Sequence, residues 1–301
     1  MTAIEAFFNL TTLCPLREAV GALDPTAPPG ARLIAGPDLA RVRSVGILPG
    51  SFNPPTDAHL ALAEAALASG CLEVLNYLIA TRTVNKEKIE GASLPDRLLC
   101  LEAIVDARPN EGVLLVNRGL YVDQAALLRE AWPNLAELWF VVGFDKIVQI
   151  FDPCYYADID AALNQLFAKA SFLVAPRGAD GANELAALLA SGRNHRFADQ
   201  VRLLDLPEQY RELSSSRIRA EIHVRHAGTG VPPIVHAFEA ATGAYEPPVE
   251  TASGRAVDRY AERERLIELG CAGKLGNPSP REFHALWLEA TAPDAGAPED
   301  Q

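Results

Sequence analysis

Segment 46–60, which reads GILPGSFNPPTDAHL, contains residue types that bind a phosphate group. Gly50 lets the backbone approach a ligand closely, and the hydroxyl of Ser51 can donate to a phosphate oxygen. A predicted strand precedes this region and a predicted helix follows it, so unpaired N–H groups and a positive dipole end would face an anion. Thr56 and His59 are three residues apart and share one side of the first helical turn. Both side chains are therefore expected to donate to a triphosphate, including the charge that develops on its reacting phosphorus.

Segment 213–219, which reads LSSSRIR, is a second candidate anion site at the start of another predicted helix. Consecutive hydroxyl groups at a helix start can serve as caps alone, because they accept hydrogen bonds from unpaired N–H groups. Arg219 on the next turn favours a different use, since backbone N–H groups, hydroxyls and a guanidinium can converge on one anion. The residues of this second site are Ser214, Ser215, Ser216 and Arg219.

Segment 140–146, which reads FVVGFDK, ends a predicted strand with a turn that contains Gly143 and Asp145. In a parallel sheet, ligands bind outside the carboxyl ends of the strands. This turn and the first segment both follow a predicted strand, so both are expected at the edge of the sheet where a ligand binds.

Segment 46–60 resembles the nucleotide-binding motif of the HxGH nucleotidyltransferase superfamily. Its GSFNP form is most similar to the pyridine mononucleotide adenylyltransferases. Thr56 and Ala58 stand where many members have His and Gly, although a T-x-x-H version also occurs in eukaryotic-type members. The resemblance implies that His59 stabilises the phosphoryl group during its transfer.

The other two segments resemble motifs of the same family. Segment 213–219 is similar to the ISSTxIR signature, which grips the β- and γ-phosphates of ATP, with Leu213 and Ser216 in place of Ile and Thr. Segment 140–146 resembles the hGxD turn, whose Gly backbone and Asp contact the adenosine. The continuation 150–156, which reads IFDPCYY, looks more like a divergent branch of the family than like the bacterial nicotinate enzymes.

Shorter resemblances add three more candidates. Lys86, with Lys88 as the second choice, follows the second predicted strand, where the family has a lysine that reaches the substrate phosphate. Arg97 opens the next predicted helix, and Arg177 resembles the R-x-G turn near the adenine, where it stacks on the base or holds the loop. The full assignment is catalytic His59, Thr56 and Arg219; ATP-binding Gly50, Ser51, Phe52, Gly143, Asp145, Arg177, Ser214, Ser215 and Ser216; and substrate-binding Ser51, Phe52, Lys86 and Arg97.

The resemblance implies in-line attack by the phosphate of a pyridine mononucleotide on the α-phosphorus of ATP, with release of pyrophosphate. The attacking phosphate is already ionised, so the transfer depends on positioning and charge neutralisation more than on a protein base. Mg²⁺ would be carried by the ATP phosphates and have few or no protein ligands. The sequence leaves open whether nicotinate or nicotinamide mononucleotide is preferred. The candidates for stacking on the pyridine ring are Tyr155, Tyr156 and Phe144, whereas Trp139 is expected in the core.

Three alternatives remain open from the sequence. A related transferase would use a phosphopantetheine, FMN or polyol phosphate acceptor. A nucleotide sensor would bind ATP without releasing pyrophosphate, and the intact motif residues argue against this function. A partner-binding protein would use its flanking helices, such as the one with Phe283, Leu286 and Trp287, although that spacing more often packs against a core.

The elements that must position these residues alternate between strand and helix, which predicts βαβ units and an α/β, doubly wound parallel sheet of Rossmann-like nucleotidyltransferase type. The predicted strands are 42–48, 74–80, 113–116, 138–142, 172–175 and 201–204, and the predicted helices are 59–69, 94–106, 122–131, 183–189 and 216–225.

The flanking regions have a different pattern. Helix 4–22 and a Pro-rich loop at 23–30 precede the alternating region, and helices 257–269 and 280–289 follow it. The tail from 292 to 301 is rich in Pro, Ala and acidic residues, which is typical of disorder. We therefore expect a helical N-terminal extension at 1–40, a nucleotidyltransferase domain at 41–228 and a helical C-terminal extension at 229–301.

Composition excludes several classes of protein. The 301-residue chain has a formal net charge of −12, which disfavours binding to nucleic acid or to an anionic membrane. No apolar run approaches the roughly 20 residues of a membrane-spanning helix, and no secretory signal is evident, so a cytoplasmic location is predicted. The five cysteines are dispersed and odd in number, which argues against a disulfide framework and a structural zinc site. The oligomeric state is left open, and a homo-oligomer is compatible with the sequence.

Overall fold

The computed structural model describes residues 3–81, 91–176, 181–211, 213–225, 229–250 and 256–292. Within these residues, seven strands form one sheet in the order β1-β4-β3-β2-β5-β6-β7. Strands β2 to β7 are parallel, and β1 pairs antiparallel with β4 at the edge. The strands are β1 (Ala31–Ala35), β2 (Ser44–Pro49), β3 (Val74–Ala80), β4 (Glu111–Val116), β5 (Glu137–Gly143), β6 (Ser171–Ala175) and β7 (Val201–Leu203).

Helices cover both faces of this sheet, and a hydrophobic cluster lies on each face. Alternation along β3 shows this division, because Leu75 and Tyr77 belong to one cluster whereas Val74 and Leu78 belong to the other. The helices are α1 (Ala3–Ala6), α2 (Leu10–Ala22), α3 (Asp57–Ala68), α4 (Leu94–Val105), α5 (Tyr121–Ala131), α6 (Phe144–Ile150), α7 (Ile159–Phe167), α8 (Gly181–Ala190), α9 (Glu208–Arg211), α10 (Ser215–Arg225), α11 (Pro233–Thr242), α12 (Arg259–Cys271) and α13 (Pro280–Thr291), and a short hairpin pairs β8 (Val249–Glu250) with β9 (Ala256–Val257). The predicted doubly wound α/β sheet is confirmed.

The strand order places a topological switch point between β2 and β5. From β2 the chain passes outward through β3 to β4, and it then crosses back to β5 and continues outward through β6 to β7. The connections leaving β2 and β5 therefore diverge, which opens a crevice at their carboxyl ends. The loop that begins at Gly50 and the turn that begins at Gly143 lie on the two sides of this crevice.

Strand β1 was not predicted, because the first forty residues were interpreted as a helical extension with a loop. Its five residues lie outside the alternating region and pair with β4, which is about eighty residues away in the sequence. Helices α6, α7, α9 and α11 were also missed. Helix α11 begins at Pro233, in the C-terminal extension where only helices 257–269 and 280–289 were predicted, and proline is well tolerated in the first turn of a helix.

The two flanking regions pack against each other and against α4. Phe7 and Phe8 precede α2, and their side chains are buried in the same cluster as Phe283 and Trp287 of α13. The predicted packing of α13 is therefore confirmed for these two residues, whereas Leu286 is 39% exposed. None of the helices in the described parts of the chain is long and apolar enough to cross a membrane.

The cysteine interpretation is corrected by the structure. Cys14 on α2 and Cys271 at the end of α12 form a disulfide, with their Cα atoms 5.4 Å apart. The pair is separated by 257 residues, so no spacing pattern in the sequence reveals it. The packing of α2 beside α12 brings the two thiols together.

Candidate active site

The loop after β2 is held in shape by the ring of Phe52. Phe52 has a left-handed backbone with φ 43°, which is uncommon for a residue other than glycine. Its buried ring lies edge-on to His59 and Tyr77, with centroid distances of 4.9 and 5.5 Å. A Cβ atom at Gly50 would come within 2.7 Å of the same ring, so the close approach requires glycine. The Phe52 side chain is thus closed off from a ligand, and the contact predicted for this residue would have to come from its backbone.

His59 is oriented by Thr56, the N-cap of α3. The Thr56 N–H donates to His59 Nδ1 at 3.0 Å, and Thr56 Oγ1 lies 2.8 Å from the same nitrogen. Thr56 Oγ1 also accepts from the His59 N–H at 3.3 Å, which completes a reciprocal capping box. Thr56 is wholly buried, so its hydroxyl lies against the imidazole and not at the surface where a phosphate would bind.

These contacts determine the state of the His59 ring. A ring nitrogen that accepts a backbone N–H bears no proton, so the neutral imidazole carries its proton on Nε2. Desolvation lowers the pKa of His59 to about 4, and the ring is therefore neutral at pH 7. The side chain of this half-buried residue can then donate one hydrogen bond, through Nε2, to an anion at the start of α3.

The second predicted segment lies directly against the first. Ser215 Oγ donates to the Pro54 carbonyl at 2.8 Å, although the two residues are 161 positions apart. The Arg219 guanidinium donates to the Asn53 carbonyl and, through Nη2, to Ser216 Oγ at 3.3 Å. The two segments therefore form one surface.

Donor groups remain available on this surface. Ser214 Oγ accepts the Arg217 N–H at 3.3 Å near the start of α10. Ser214 and Ser216 are exposed and Arg219 is half-buried, so their polar groups can reach a ligand. Hydroxyls, a guanidinium and a helix start within one patch match the needs of a polyphosphate.

The turn after β5 completes the crevice. Gly143 is the last residue of β5, and a Cβ atom added there would meet no other atom within 4 Å. Asp145 follows in the first turn of α6 and is exposed.

Arg177, Lys86 and Lys88 lie outside the described residues, so their predicted contacts stay predictions.

A cavity of about 260 Å³ lies beside Gly50 and Ser51, at the carboxyl ends of β2 and β3. Tyr155 and Tyr156 both line it, and Tyr156 also packs against one of the hydrophobic clusters; Phe144 packs against the same cluster but does not line the cavity. The cavity thus offers two of the three predicted stacking residues. The predicted core position of Trp139 is confirmed, since its side chain is 7% exposed.

Two cationic side chains reach this cavity. Arg97 is buried, and its Nε and Nη1 donate to the carbonyls of Ala92 and Ser51 at 2.7 and 3.2 Å. Desolvation lowers the pKa of Arg97, yet a guanidinium stays protonated at neutral pH. Lys146 lies on the exposed side, where its ammonium donates to Gln149 Oε1 at 2.9 Å. Lys146 was not predicted, because one lysine after an Asp turn has no distinguishing spacing.

The described residues contain no group of three or more His, Cys, Asp or Glu side chains that could hold a metal ion. The side chains of the surface formed by the starts of α3 and α10 include donors and a cation, namely those of His59, Ser216 and Arg219. Such groups suit the phosphate oxygens of a nucleotide.

Comparisons with known proteins identify the family of the chain and several relatives. The model of the cytidylyltransferase-like family matches residues 47–221. The chain is 25% identical over 189 residues to the probable nicotinate-nucleotide adenylyltransferase of Gloeobacter violaceus, which covers 61% of this chain and 86% of that protein. It is 32% identical over 108 residues to the probable nicotinate-nucleotide adenylyltransferase of Brucella suis, and here the match spans 35% of this chain and 55% of that protein.

The fold is also similar to that of a solved structure. The nicotinic acid mononucleotide adenylyltransferase of Plasmodium falciparum, complexed with NaAD, superposes with a TM-score of 0.51 at 16% identity. The superposition covers 67% of this chain and 97% of that structure. The likeness at this identity concerns the fold alone.

Proposed function

The chain belongs to the cytidylyltransferase-like family, and on this premise we propose that it transfers the adenylyl group of ATP to a pyridine mononucleotide. The products are pyrophosphate and the dinucleotide used in NAD synthesis. One observation carries the proposal: the side chains of Ser215 and Arg219 are hydrogen-bonded to the loop that orients His59, beside an aromatic cavity. The relatives from Gloeobacter violaceus and Brucella suis bear the name of this activity.

The triphosphate would lie across the starts of α3 and α10. Arg219 and the exposed hydroxyls of Ser214 and Ser216 would bind the β- and γ-phosphates, and Gly143 and Asp145 would contact the adenosine. These donors would bind the phosphates, and Mg²⁺ would be carried by the phosphate oxygens, since it keeps its waters and needs few protein ligands. When bound, it would neutralise phosphate charge.

His59 would act on the reacting phosphate. Its Nε2–H is the free donor of the ring, because Nδ1 already accepts the Thr56 N–H. A donor that is held in place before the reaction stabilises the charge that develops in the transition state without any reorganisation. Thr56 is then a positioning residue that sets the ring and its tautomer. No base is required, because the attacking phosphate is ionised.

The mononucleotide would occupy the 260 Å³ cavity. Tyr155 and Tyr156 offer faces for stacking on a pyridine ring. Arg97 and Lys146 place positive charge beside it, which suits a phosphate or a ring carboxylate. A cavity that is mostly apolar and contains a few converging polar groups is the usual form of a small-molecule site.

The test is pyrophosphate release from Mg-ATP by the purified full chain, with nicotinate mononucleotide, nicotinamide mononucleotide, phosphopantetheine, FMN, a polyol phosphate or no acceptor. Release that depends on one of the mononucleotides, with the matching dinucleotide formed, supports the proposal and identifies the substrate. ATP binding without release in any arm would overturn it in favour of a nucleotide sensor. Release with phosphopantetheine, FMN or a polyol phosphate alone would overturn the pyridine assignment.

A further inference from the structure

Arg263 is a fully buried cation on α12, far along the chain from the motifs. All five N–H groups of its guanidinium have a partner: Nε and Nη2 donate to the Phe7 carbonyl at 3.1 and 2.6 Å, and Nη1 and Nη2 donate to the two Asp96 oxygens at 2.8 and 2.9 Å. The fifth bond runs from Nη1 to Glu264 Oε1 at 3.2 Å. Arg263 and Asp96 both have side chains that are 0% exposed. The family match ends at residue 221, so α12 lies outside it.

Asp96 is held by α12 at a second point. The Tyr260 hydroxyl donates to Asp96 Oδ2, and the same hydroxyl accepts the Ser93 N–H at 2.7 Å. Ser93 is the N-cap of α4, and its Oγ accepts the Asp96 N–H at 3.4 Å. Helix α12 thus bonds to both the cap and the first turn of α4.

That first turn also holds the nucleotide loop. Arg97, the residue after Asp96, donates to the carbonyls of Ala92 and Ser51. The Ala92 N–H donates to Asn53 Oδ1 at 3.1 Å, and Asn53 is the residue whose carbonyl accepts from Arg219. The first turn of α4 and the residue before its cap therefore touch the loop at two points, one beside the cavity and one beside the phosphate surface.

Adjacent residues of an α-helix point about 100° apart around its axis, so the direction of Asp96 determines the direction of Arg97. A bidentate pair with a planar guanidinium fixes that direction more narrowly than a point charge or an apolar contact would. A buried ion pair contributes little net stability compared with well-packed apolar residues, so orientation is the property that an apolar pair would not supply.

We propose that Arg263 and Tyr260 are positioning residues of the active site, which set Arg97 and the 51–53 loop by gripping the first turn of α4. The C-terminal extension is then a working part of the catalytic unit. The assignment rests on the proposed function for its kinetic readout, but its structural readout is independent of it.

The kinetic test compares Arg263→Lys and Tyr260→Phe with a matched control, Arg265→Lys. Arg263→Lys keeps the charge and loses the planar fork, and Tyr260→Phe removes only the hydroxyl. Arg265 lies on the same helix, is 57% exposed and pairs with Glu262. We expect kcat/KM for the mononucleotide to fall about 10- to 100-fold in Arg263→Lys, mainly through a higher KM, and less in Tyr260→Phe. Arg265→Lys should match the wild-type protein.

A purely structural role predicts a different result. A less stable variant has a smaller folded fraction, which lowers the apparent kcat and leaves the KM for ATP and the KM for the mononucleotide unchanged. Unchanged KM values in folded Arg263→Lys and Tyr260→Phe would therefore overturn the proposal.

Hydrogen–deuterium exchange keeps the test decisive even if the wild-type protein forms no dinucleotide. The absence of dinucleotide would contradict the proposed function and not the positioning role. In Arg263→Lys, amide exchange in the 50–56 loop should become faster than in Arg265→Lys. The Arg263 side chain bonds to Phe7, Asp96 and Glu264 and not to this loop, so the change would have to pass through the first turn of α4. Equal exchange of the loop in the two variants would overturn the positioning role.

Discussion

Helices α1, α2, α4, α11, α12 and α13 pack together as a helical bundle around Arg263. This bundle and the crevice at the ends of β2 and β5 use cations in opposite ways. In the bundle, all five N–H groups of Arg263 are satisfied within the protein, and its side chain is wholly buried. At the crevice, Arg219 is half-buried, and Ser214 and Ser216 are exposed beside it. The first arrangement fixes one element against another, whereas the second leaves donors for a ligand. The comparison separates groups that hold the fold from groups that bind.

The largest effect is expected where the bundle is broken. Asp96→Asn removes the bidentate, fully buried counter-charge of Arg263 and leaves only the partly exposed Glu264 carboxylate beside the guanidinium, so the free energy of unfolding should fall by about 3–5 kcal/mol. Glu262→Gln removes the partner of the exposed Arg265 on the same helix and should cost less than about 1 kcal/mol. Urea denaturation of both variants measures the difference. Equal losses would show that burial does not distinguish the two pairs.

At the crevice, the strongest effect should be on turnover and not on stability. His59→Ala removes the Nε2–H donor, and kcat should fall about 10²- to 10³-fold while KM for ATP changes much less. The control is His195→Ala, since His195 is exposed on the 3-10 helix Gly192–Gln200 and lies outside the three motif segments. Steady-state kinetics at varied ATP concentration distinguish a role of His59 in turnover from a role in ATP binding. A higher KM at unchanged kcat would contradict the role given to His59.

The disulfide belongs to the bundle and should affect stability alone. Cys14→Ser removes the link between α2 and α12, and the free energy of unfolding should fall by about 2–4 kcal/mol. Reducing agent should destabilise the wild-type protein equally and leave Cys14→Ser unchanged. Cys154→Ser, at an exposed free thiol, is the matched control. Identical unfolding curves for the reduced and oxidised wild-type protein would contradict the pairing.

The smallest of these effects is expected at the phosphate surface, because this surface is accessible to solvent and several donors would bind the phosphates together. Arg219→Lys keeps the charge and loses the planar fork, so KM for ATP should rise about tenfold with little change in stability. Arg217→Lys changes an exposed residue of the same helix, which pairs with Glu221, and should have no effect. A KM for ATP that is unchanged in Arg219→Lys would remove this residue from the phosphate site.

The same contrast explains what the sequence could predict. The crevice consists of local patterns, a strand followed by a glycine turn or a helix start, so the segments that contain His59 and Arg219 were recognised. The doubly wound sheet followed from the same alternation. The sequence did not reveal that the Phe52 side chain is closed off from a ligand, because only the folded loop shows that its ring packs under Gly50 against His59.

The bundle depends on pairs that are distant in sequence. Arg263 and Asp96 are 167 residues apart, and Cys14 and Cys271 are 257 apart, so neither pair has a spacing that a single sequence displays. Strand β1 was missed for the same reason, since its partner β4 follows it by some eighty residues. The cytoplasmic location and the oligomeric state are matters that the fold does not address, and the first stays a prediction.

The most direct test of the central claim follows the phosphorus atoms of ATP. The wild-type protein would be incubated with Mg²⁺, a pyridine mononucleotide and ATP labelled on either the α- or the γ-phosphorus. Adenylyl transfer predicts that the α-label appears in the dinucleotide and the γ-label in pyrophosphate. Release of the γ-label as free phosphate, with the α-label left in ADP, would contradict the account, because the crevice would then catalyse a different cleavage of ATP.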